Sequence, residues 1–415
     1  MRLLIVSQYF WPENFRVNDL AEELARRGHE VTVLTGEPNY PEGHILPAYK
    51  ADPAAFAQFG DMPVVRVPVV PRGNSSVRLV LNYLSFALSA SALGVWKLRG
   101  RPFDAIFVFQ TSPITAALPA ILLRRLKRAP MLMWILDLWP DTLSAIGVVK
   151  SPRLLALVGR LVRFVYKRCD RILVQSRAFE PRVTPLAGRS DTIRYFPGWA
   201  ESIFESGAKL APELAPYAND FTVLFAGNIG EAQDFPAILD AAETLRNKPG
   251  LRWIVVGDGR AAPQVREEIA RRGLGEKVVL LGRFPLERMP SFFAGADALL
   301  VTLRKEPIWS MTIPGKVQSY LAADKPLLAM LDGEGGRVIT EAGAGLVAPA
   351  GDGRALAAHV ERLMATDAAA RAEMGRRGLR YGRREFNRGR LVDALEAWIG
   401  ECRGGPEVSL GGGIA

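Results

Sequence analysis

The sequence predicts an α/β protein of two doubly wound domains, each an open parallel sheet with helices on its faces. Three observations carry this. Short apolar runs alternate with stretches of helical spacing along most of the chain. In the second half, several of those runs end directly in glycine. Midway, at Phe196-Pro197-Gly198, Pro and Gly punctuate the chain and the pattern restarts. The length of 415 residues agrees with two domains, at roughly 150 or more residues each.

The elements follow in order. Leu3–Ser7 is apolar and too short for a helix, so it reads as a strand. Arg16–Arg27 places Val17, Leu20 and Leu24 on one face, and Gly28 stops it. Val31–Leu34 is the next strand, which completes a βαβ opening with a right-handed crossover. Val64–Val70, Ala105–Phe109, Met131–Leu136 and Arg171–Val174 continue the first sheet. Ligands of such sheets bind beyond the carboxyl ends of the strands. Gln8–Phe15, Gln110–Pro113 and Asp137–Asp141 occupy those positions.

In the second half, Phe221–Ala226 leads into Gly227-Asn228-Ile229-Gly230. Trp253–Val256 leads into Gly257-Asp258-Gly259, and Val278–Leu281 into Gly282-Arg283-Phe284. Ala298–Val301 and Leu327–Met330 follow as strands. The reading is therefore a first domain over 1–197 and a second over 198–389. A last helix over 390–403 packs back towards the first domain, and a Gly-rich, disordered tail spans 404–415.

Composition narrows the function. Apolar residues make 49% and charged residues 23% of the chain, which excludes a disordered or collagenous protein. Two cysteines, Cys169 and Cys402, and three histidines exclude a disulfide scaffold and a structural zinc site. The start, MRLLIVSQYF, lacks the run length and cleavage site of a signal peptide. Residues 1–197 carry 26 Lys/Arg against 15 Asp/Glu, net +11, whereas 198–415 carry 27 against 28, net −1. Such one-sided charge points to an anionic surface, either acidic phospholipid or nucleic acid. Nucleic acid is disfavoured, because aromatic interleaving and a recognised module are missing.

The motifs QYFWPENFRVNDLAEELARRGHEVTVLTGEPNYP, FAGNIGEAQDF and TIPGKVQSYLAADKP resemble retaining GT-B glycosyltransferases of family four. Within that family they look closest to bacterial enzymes that build O-antigen and capsule repeats, including N-acetyl-L-fucosamine transferases. The resemblance spans nearly the whole chain. It implies two Rossmann-like domains facing across a cleft, with a nucleotide sugar, here a UDP-sugar, bound mainly by the second. It implies a polyprenyl-diphosphate-linked saccharide as acceptor, bound mainly by the first. Retained anomeric configuration, no metal ion and no cofactor are also implied. So is a place in the cytoplasm on the inner face of the cell membrane.

The donor diphosphate is expected at Gly227, Asn228, Gly230, Gly257 and Gly259, whose backbone N–H groups could cradle it. Relatives carry an Arg and a Lys where this chain has Asn228 and Gln233. The missing charge falls first to Lys316, at the helix start after Pro314, then to Arg304 and Lys305. The family's paired glutamates are replaced by Met311 and Ser319, so Ser319 or the Gln318 amide would have to hold the ribose. Arg283 and Phe284 lie where relatives hold the base.

On the acceptor side, Leu136 stands where many relatives have a His. Asp137 is then the leading carboxylate for positioning the acceptor hydroxyl or the donor sugar, and Asp141 the second, unless it only caps a helix. Glu13, Asn14 and Arg16 lie in the first strand–helix loop, and His44 in the loop after Pro41. All four are candidate acceptor contacts, whereas His29 reads as structural.

Arg153, Arg160, Arg163, Lys167 and Arg171 fall on one stripe if their segment is helical, beside the apolar face Leu154, Leu157, Val158, Leu161 and Val165. A basic amphipathic helix of this kind reads as an anchor on an anionic membrane, the alternative for it and for the next segment being core helices with solvated charges. Leu79–Trp96 is an uncharged run read as a helix of the first domain whose exposed end dips into the headgroups. Two other readings share the fold: a nucleotide-sugar 2-epimerase, and a nucleotide-sugar-binding protein without catalysis.

Overall fold

The computed structural model describes residues 1–73, 75–145, 149, 151–200, 202–205 and 209–405. It contains two compact units, Met1–Pro197 with Gly389–Ala415, and Gly198–Arg388. The tail read as disordered falls, from residue 406 on, outside the described residues.

In the first unit, the strands are β1 (Arg2–Val6), β2 (Glu30–Gly36), β3 (Gln58–Phe59), β4 (Met62–Val67), β5 (Ala105–Gln110), β6 (Met131–Ile135), β7 (Arg171–Val174) and β8 (Ile193–Tyr195). They form one sheet in the order β3-β4-β2-β1-β5-β6-β7-β8. Every pairing is parallel except the β3–β4 ribbon. The order reverses direction between β1 and β5, and ligands of such sheets bind at that reversal.

The crossovers from β1 to β2 and from β4 to β5 run in opposite directions across the sheet. Right-handedness therefore sends helix Arg16–Arg26 to one face. Helices Ser76–Ser89, Ala117–Lys127 and Pro152–Tyr166 go to the other. The last helix, Arg388–Cys402, buries Leu391, Leu395, Trp398 and Ile399. Trp398 packs edge-on against Phe196, and Glu396 bonds His29 at 2.6 Å and Arg27 at 2.9 Å. The structural reading of His29 matches this contact.

The second unit holds β9 (Phe221–Ala226), β10 (Leu251–Val256), β11 (Val278–Gly282), β12 (Ala298–Thr302), β13 (Leu327–Met330) and β14 (Gly345–Ala348). All are parallel, in the order β11-β10-β9-β12-β13-β14. Val223, Phe225, Trp253 and Val255 belong to one core, and Leu224, Ala226, Ile254 and Val256 to another. Burial on both faces is why these strands read as unbroken apolar runs.

Three sequence expectations need correction. The strand expected at Val64–Val70 ends at Val67, and β3 precedes it as a short antiparallel partner. The basic helix ends at Tyr166, with Lys167 as its C-cap. Arg171 is not on the stripe: it is the first residue of β7, and its guanidinium pairs with Glu401 at 3.0 Å. The apolar face of that helix also divides. Val162, Val165 and Tyr166 are buried, whereas Leu154, Leu157 and Phe164 are exposed.

Candidate active site

In the second unit, the turns after β9 and β10 interlock. The Gly227 N–H donates to Val256 O at 2.8 Å, the Ile229 N–H to Asp258 O at 2.9 Å and the Ala261 N–H to Ile229 O at 3.0 Å. Gly257 has φ +149°, and a Cβ there would lie 1.9 Å from Gly227 O. No other residue permits this approach. The consequence revises the expected cradle. The Gly257 N–H is bonded to Gly282 O at 2.7 Å, Gly259 to the Asp258 carboxylate at 2.8 Å, and Gly230 to Gln233 Oε1 at 3.1 Å. These glycines serve close packing of two loops, and most of their N–H groups are already used. Asn228 is exposed, and its side chain folds over Gly230.

Lys316 lies under the same turn. It is the second residue of helix Gly315–Ala322, whose N-cap is Pro314. A Cβ added to Gly227 would come within 2.7 Å of Lys316 Cε. Its Nζ stands 3.5 Å from the centroid of the Phe225 ring. The stem is partly exposed, but Nζ is shut off from solvent without a hydrogen-bond partner among the described residues. Burial lowers this amine to about 7. An unpaired buried ammonium is costly, and one aromatic face offsets only part of that cost. The arrangement therefore favours an anion at this turn.

The other donor candidates divide. Arg304 and Lys305 are exposed just after β12, and the Arg304 N–H donates to Ala232 O at 2.8 Å, which sets it beside the glycine turn. Gln318 is buried, and its amide lies 2.9 Å from Pro314 O and 3.1 Å from Gly315 O. Its hydrogen bonds belong to the first turn of its own helix, which corrects the ribose role expected for it. The Ser319 hydroxyl reaches Gly315 O at 3.4 Å. The Phe284 ring packs edge-on against Phe292 at 4.8 Å, as a core side chain would, and Arg283 is exposed.

In the first unit, Asp137 follows β6 at the carboxyl edge of the sheet. Burial pushes its carboxyl up to about 7, opposed by a hydrogen bond with Ser112. Ser112 is a hub: its Oγ also accepts from Trp139 Nε1 at 3.0 Å and bonds the Tyr83 hydroxyl. A carboxyl near 7 can donate or accept a proton at neutral pH. Asp141 opens the short helix Asp141–Ala145. It lines a cavity of about 550 Å³ together with Pro140, Ser144, Leu155, Arg160 and Arg163.

Glu13 overturns its expected role. Its carboxylate accepts the backbone N–H groups of Asn39 and Tyr40, each at 2.7 Å, and of Phe10 at 3.2 Å. It is 6% exposed. The side chain ties the loop after β1 to the loop after β2 instead of facing a ligand, and burial raises it to about 7. Asn14 and His44 are exposed in those two loops, and Arg16 opens the first helix.

Sequence reasoning marked the segment Gln110–Pro113 without giving it a role. The structure places there Ser112 and the fully buried Gln110, whose amide has no partner among the described residues. A polar residue ending the run Ala105–Phe109 was the signal that could have found it. Among the described residues, no three His, Cys, Asp or Glu side chains form a metal-binding group.

Residues 14–199 match the family model of the glycosyl transferase 4-like domain, and residues 220–366 that of glycosyl transferases group 1. A protein of Pseudomonas aeruginosa named as a glycosyltransferase, WbjE, is 29% identical over 60% of this chain and 65% of its own length. WcaI of Escherichia coli K12, assigned as a glycosyl transferase of colanic acid biosynthesis, is 26% identical over 78% of this chain and 81% of its own. The crystal structure of HepE from Anabaena with UDP superposes with a TM-score of 0.67 at 14% identity, covering 97% of this chain and all of that one. Sucrose-phosphate synthase from Thermosynechococcus elongatus gives 0.67 at 15% identity, over 95% and 98%. The two family models together span most of the chain, one on each parallel-sheet unit, and the chain belongs to the glycosyltransferases of the GT-B fold.

Proposed function

We propose that this chain transfers a sugar from a UDP-sugar to a polyprenyl-diphosphate-linked saccharide during assembly of a bacterial surface polysaccharide. Its place is the cytoplasmic face of the cell membrane. The donor sugar is an N-acetylated deoxysugar, N-acetyl-L-fucosamine first among them. The anomeric configuration is retained, and neither metal ion nor cofactor takes part.

One observation carries the reading: the buried Nζ of Lys316, without a partner among the described residues, directly under the Gly227–Gly230 turn. A diphosphate at that turn would restore the charge of Lys316 and gain a charge-assisted hydrogen bond. The same contact strengthens as negative charge gathers on the departing UDP, which lowers the barrier to transfer. Asp137, held by Ser112, would position the acceptor hydroxyl. UDP in the HepE crystal, and the polysaccharide named for WcaI, support the donor and the product class.

The test is a screen of UDP- and GDP-sugars against a polyprenyl-diphosphate-linked saccharide, read by mass spectrometry. Transfer from one UDP-sugar, with the anomeric configuration read by NMR, is expected. Binding or slow hydrolysis without transfer to any lipid-linked acceptor would overturn the acceptor class.

A further inference from the structure

Among the described residues of the first unit, all the exposed large apolar side chains but Tyr40 stand on three neighbouring helical segments. Of the 14 large apolar side chains exposed among the described residues, twelve stand on the segment Ser76–Lys97 and on helices Ala117–Lys127 and Pro152–Tyr166. These are the helices that right-handed crossovers put on one face of the sheet, and they pack side by side. Along the first, Val77, Val80, Leu84 and Leu88 recur at helical spacing. Leu122 and Leu126 face out from the second, and Leu157 and Phe164 from the third.

The charge on these helices has one sign. They contain no Asp or Glu, yet they carry eight Lys and Arg side chains. Arg125, Arg160 and Arg163 are exposed beside the leucines, and the Arg99 guanidinium lies 4.3 Å from the centroid of the exposed Trp96 ring. The helix on the opposite face, Arg16–Arg26, carries Asp19, Glu22 and Glu23. Apolar area on helices whose only charges are cations complements an anionic bilayer, although Asp141 lies beside Arg160 and Arg163 and Asp170 pairs with Arg124. It disfavours a second copy, because two such faces would bring like charges together.

The segment Ser76–Lys97 is long and apolar enough to cross a membrane by length and composition. Its inner face argues against crossing. Asn82 is fully buried, accepts from Gln8 Nε2 at 2.6 Å and from the Tyr9 hydroxyl at 3.0 Å, and donates to Val70 O at 2.7 Å. Phe86 is also fully buried. Leaving the sheet to span a bilayer would break these bonds and strand an amide in hydrocarbon.

We infer that these three helices form a docking face that lies in the plane of an anionic bilayer, with the exposed leucines among the acyl chains and the arginines at the phosphates. The face goes beyond the single basic helix legible in the sequence. It would serve a lipid-linked acceptor, but its test needs no acceptor, so its failure and that of the proposed transfer are separable.

The probe is the full chain with vesicles of phosphatidylcholine, with and without phosphatidylglycerol, read by co-sedimentation. Wild type should bind the anionic vesicles and keep part of that binding in high salt, because apolar insertion is not screened. The variant Leu84→Gln/Leu88→Gln/Leu126→Gln should lose about tenfold or more of its partitioning. These positions are 47%, 72% and 56% exposed, so its melting curve should match wild type. Arg125→Gln/Arg160→Gln/Arg163→Gln should lose the preference for phosphatidylglycerol. Leu210→Gln, at an exposed leucine of the other unit, should change nothing. Wild-type binding by the leucine variant would overturn the proposal. So would a solution dimer, dissolved by the same variant, that ignores vesicles.

Discussion

Replacing Lys316 tests the donor site most directly. Burial takes its amine from 10.5 to about 7. That difference corresponds to roughly 5 kcal/mol lost by the charged form in the unliganded protein. Both phosphates of a UDP-sugar are diesters and do not titrate near neutrality, so Lys316 is the group whose protonation binding would change. Above pH 7 the unliganded amine is mostly neutral, and the diphosphate must draw a proton onto it. Donor affinity should therefore be flat below about pH 7 and fall about tenfold per unit above it, until the liganded amine itself titrates. Calorimetry of UDP-glucose binding near pH 8, in buffers of different ionisation enthalpy, should show uptake of close to one proton. In Lys316→Met the uptake should vanish, the pH profile should flatten, and affinity below pH 7 should drop by about 1.5–3 kcal/mol. Stability should move oppositely. The unfolded lysine holds its proton to about 10.5 and the folded one only to about 7. Wild type should therefore gain stability as pH rises through that window, and Lys316→Met should be more stable than wild type at pH 7. A pH-independent affinity in wild type would refute the reasoning and move the diphosphate to Arg304 or Lys305.

Three further outcomes are expected. Asp137→Asn should keep donor binding while cutting turnover by about 100-fold or more. It should also escape part of the stability loss that wild type suffers as pH rises from about 4 to about 7, where the folded carboxyl keeps a proton that the unfolded one has shed; near wild-type turnover would end its positioning role. Glu13→Ala should cost at least about 2 kcal/mol in urea unfolding, since three backbone N–H groups lose their acceptor; unchanged stability with a raised acceptor KM would return Glu13 to the acceptor site. Gly257→Ala should abolish UDP-glucose binding in calorimetry, because its Cβ would sit 1.9 Å from Gly227 O and force the two turns apart; normal affinity would show that turn spacing is irrelevant to the donor.

The long strands were legible because both faces of each sheet are buried, so β9 and β10 read as continuous apolar runs. β3, β8 and β14 were not, being edge strands of two to four residues without a period to detect. Side-chain placements were legible only where one partner was forced. Lys316 could be singled out as a candidate because a charge was missing elsewhere in the turn, and the structure buries its amine there. Glu13 could not be resolved, because a carboxylate in a strand-end loop serves a ligand or the backbone equally well, and only the fold brings Asn39 and Tyr40 to it. Gln318 failed for a related reason: its amide satisfies carbonyls of its own helix, a local use that spacing does not reveal.

If the glycine turns hold the donor diphosphate as proposed, neutral side chains at 228 and 233 redistribute the work of binding it. Relatives in the resembled family place Arg and Lys where this chain has Asn228 and Gln233. Here Gln233 Oε1 takes the Gly230 N–H, and Asp258 takes the N–H groups of Ile229 and Gly259. Neutral side chains at these positions tighten the loops at the expense of free donors. In the proposed donor site the charge for a diphosphate would then come chiefly from the amine of Lys316 beneath them, with the exposed cations of Arg304 and Lys305 alongside. A site built this way depends on one titrating group, whereas a pair of exposed cations would hold its charge across the whole neutral range. Steep loss of donor affinity above pH 7 is thus the functional signature of the substitutions at 228 and 233. Restoring Asn228→Arg and Gln233→Lys together should blunt it, and a pH profile left as steep as wild type's would mean that the two positions never faced the donor.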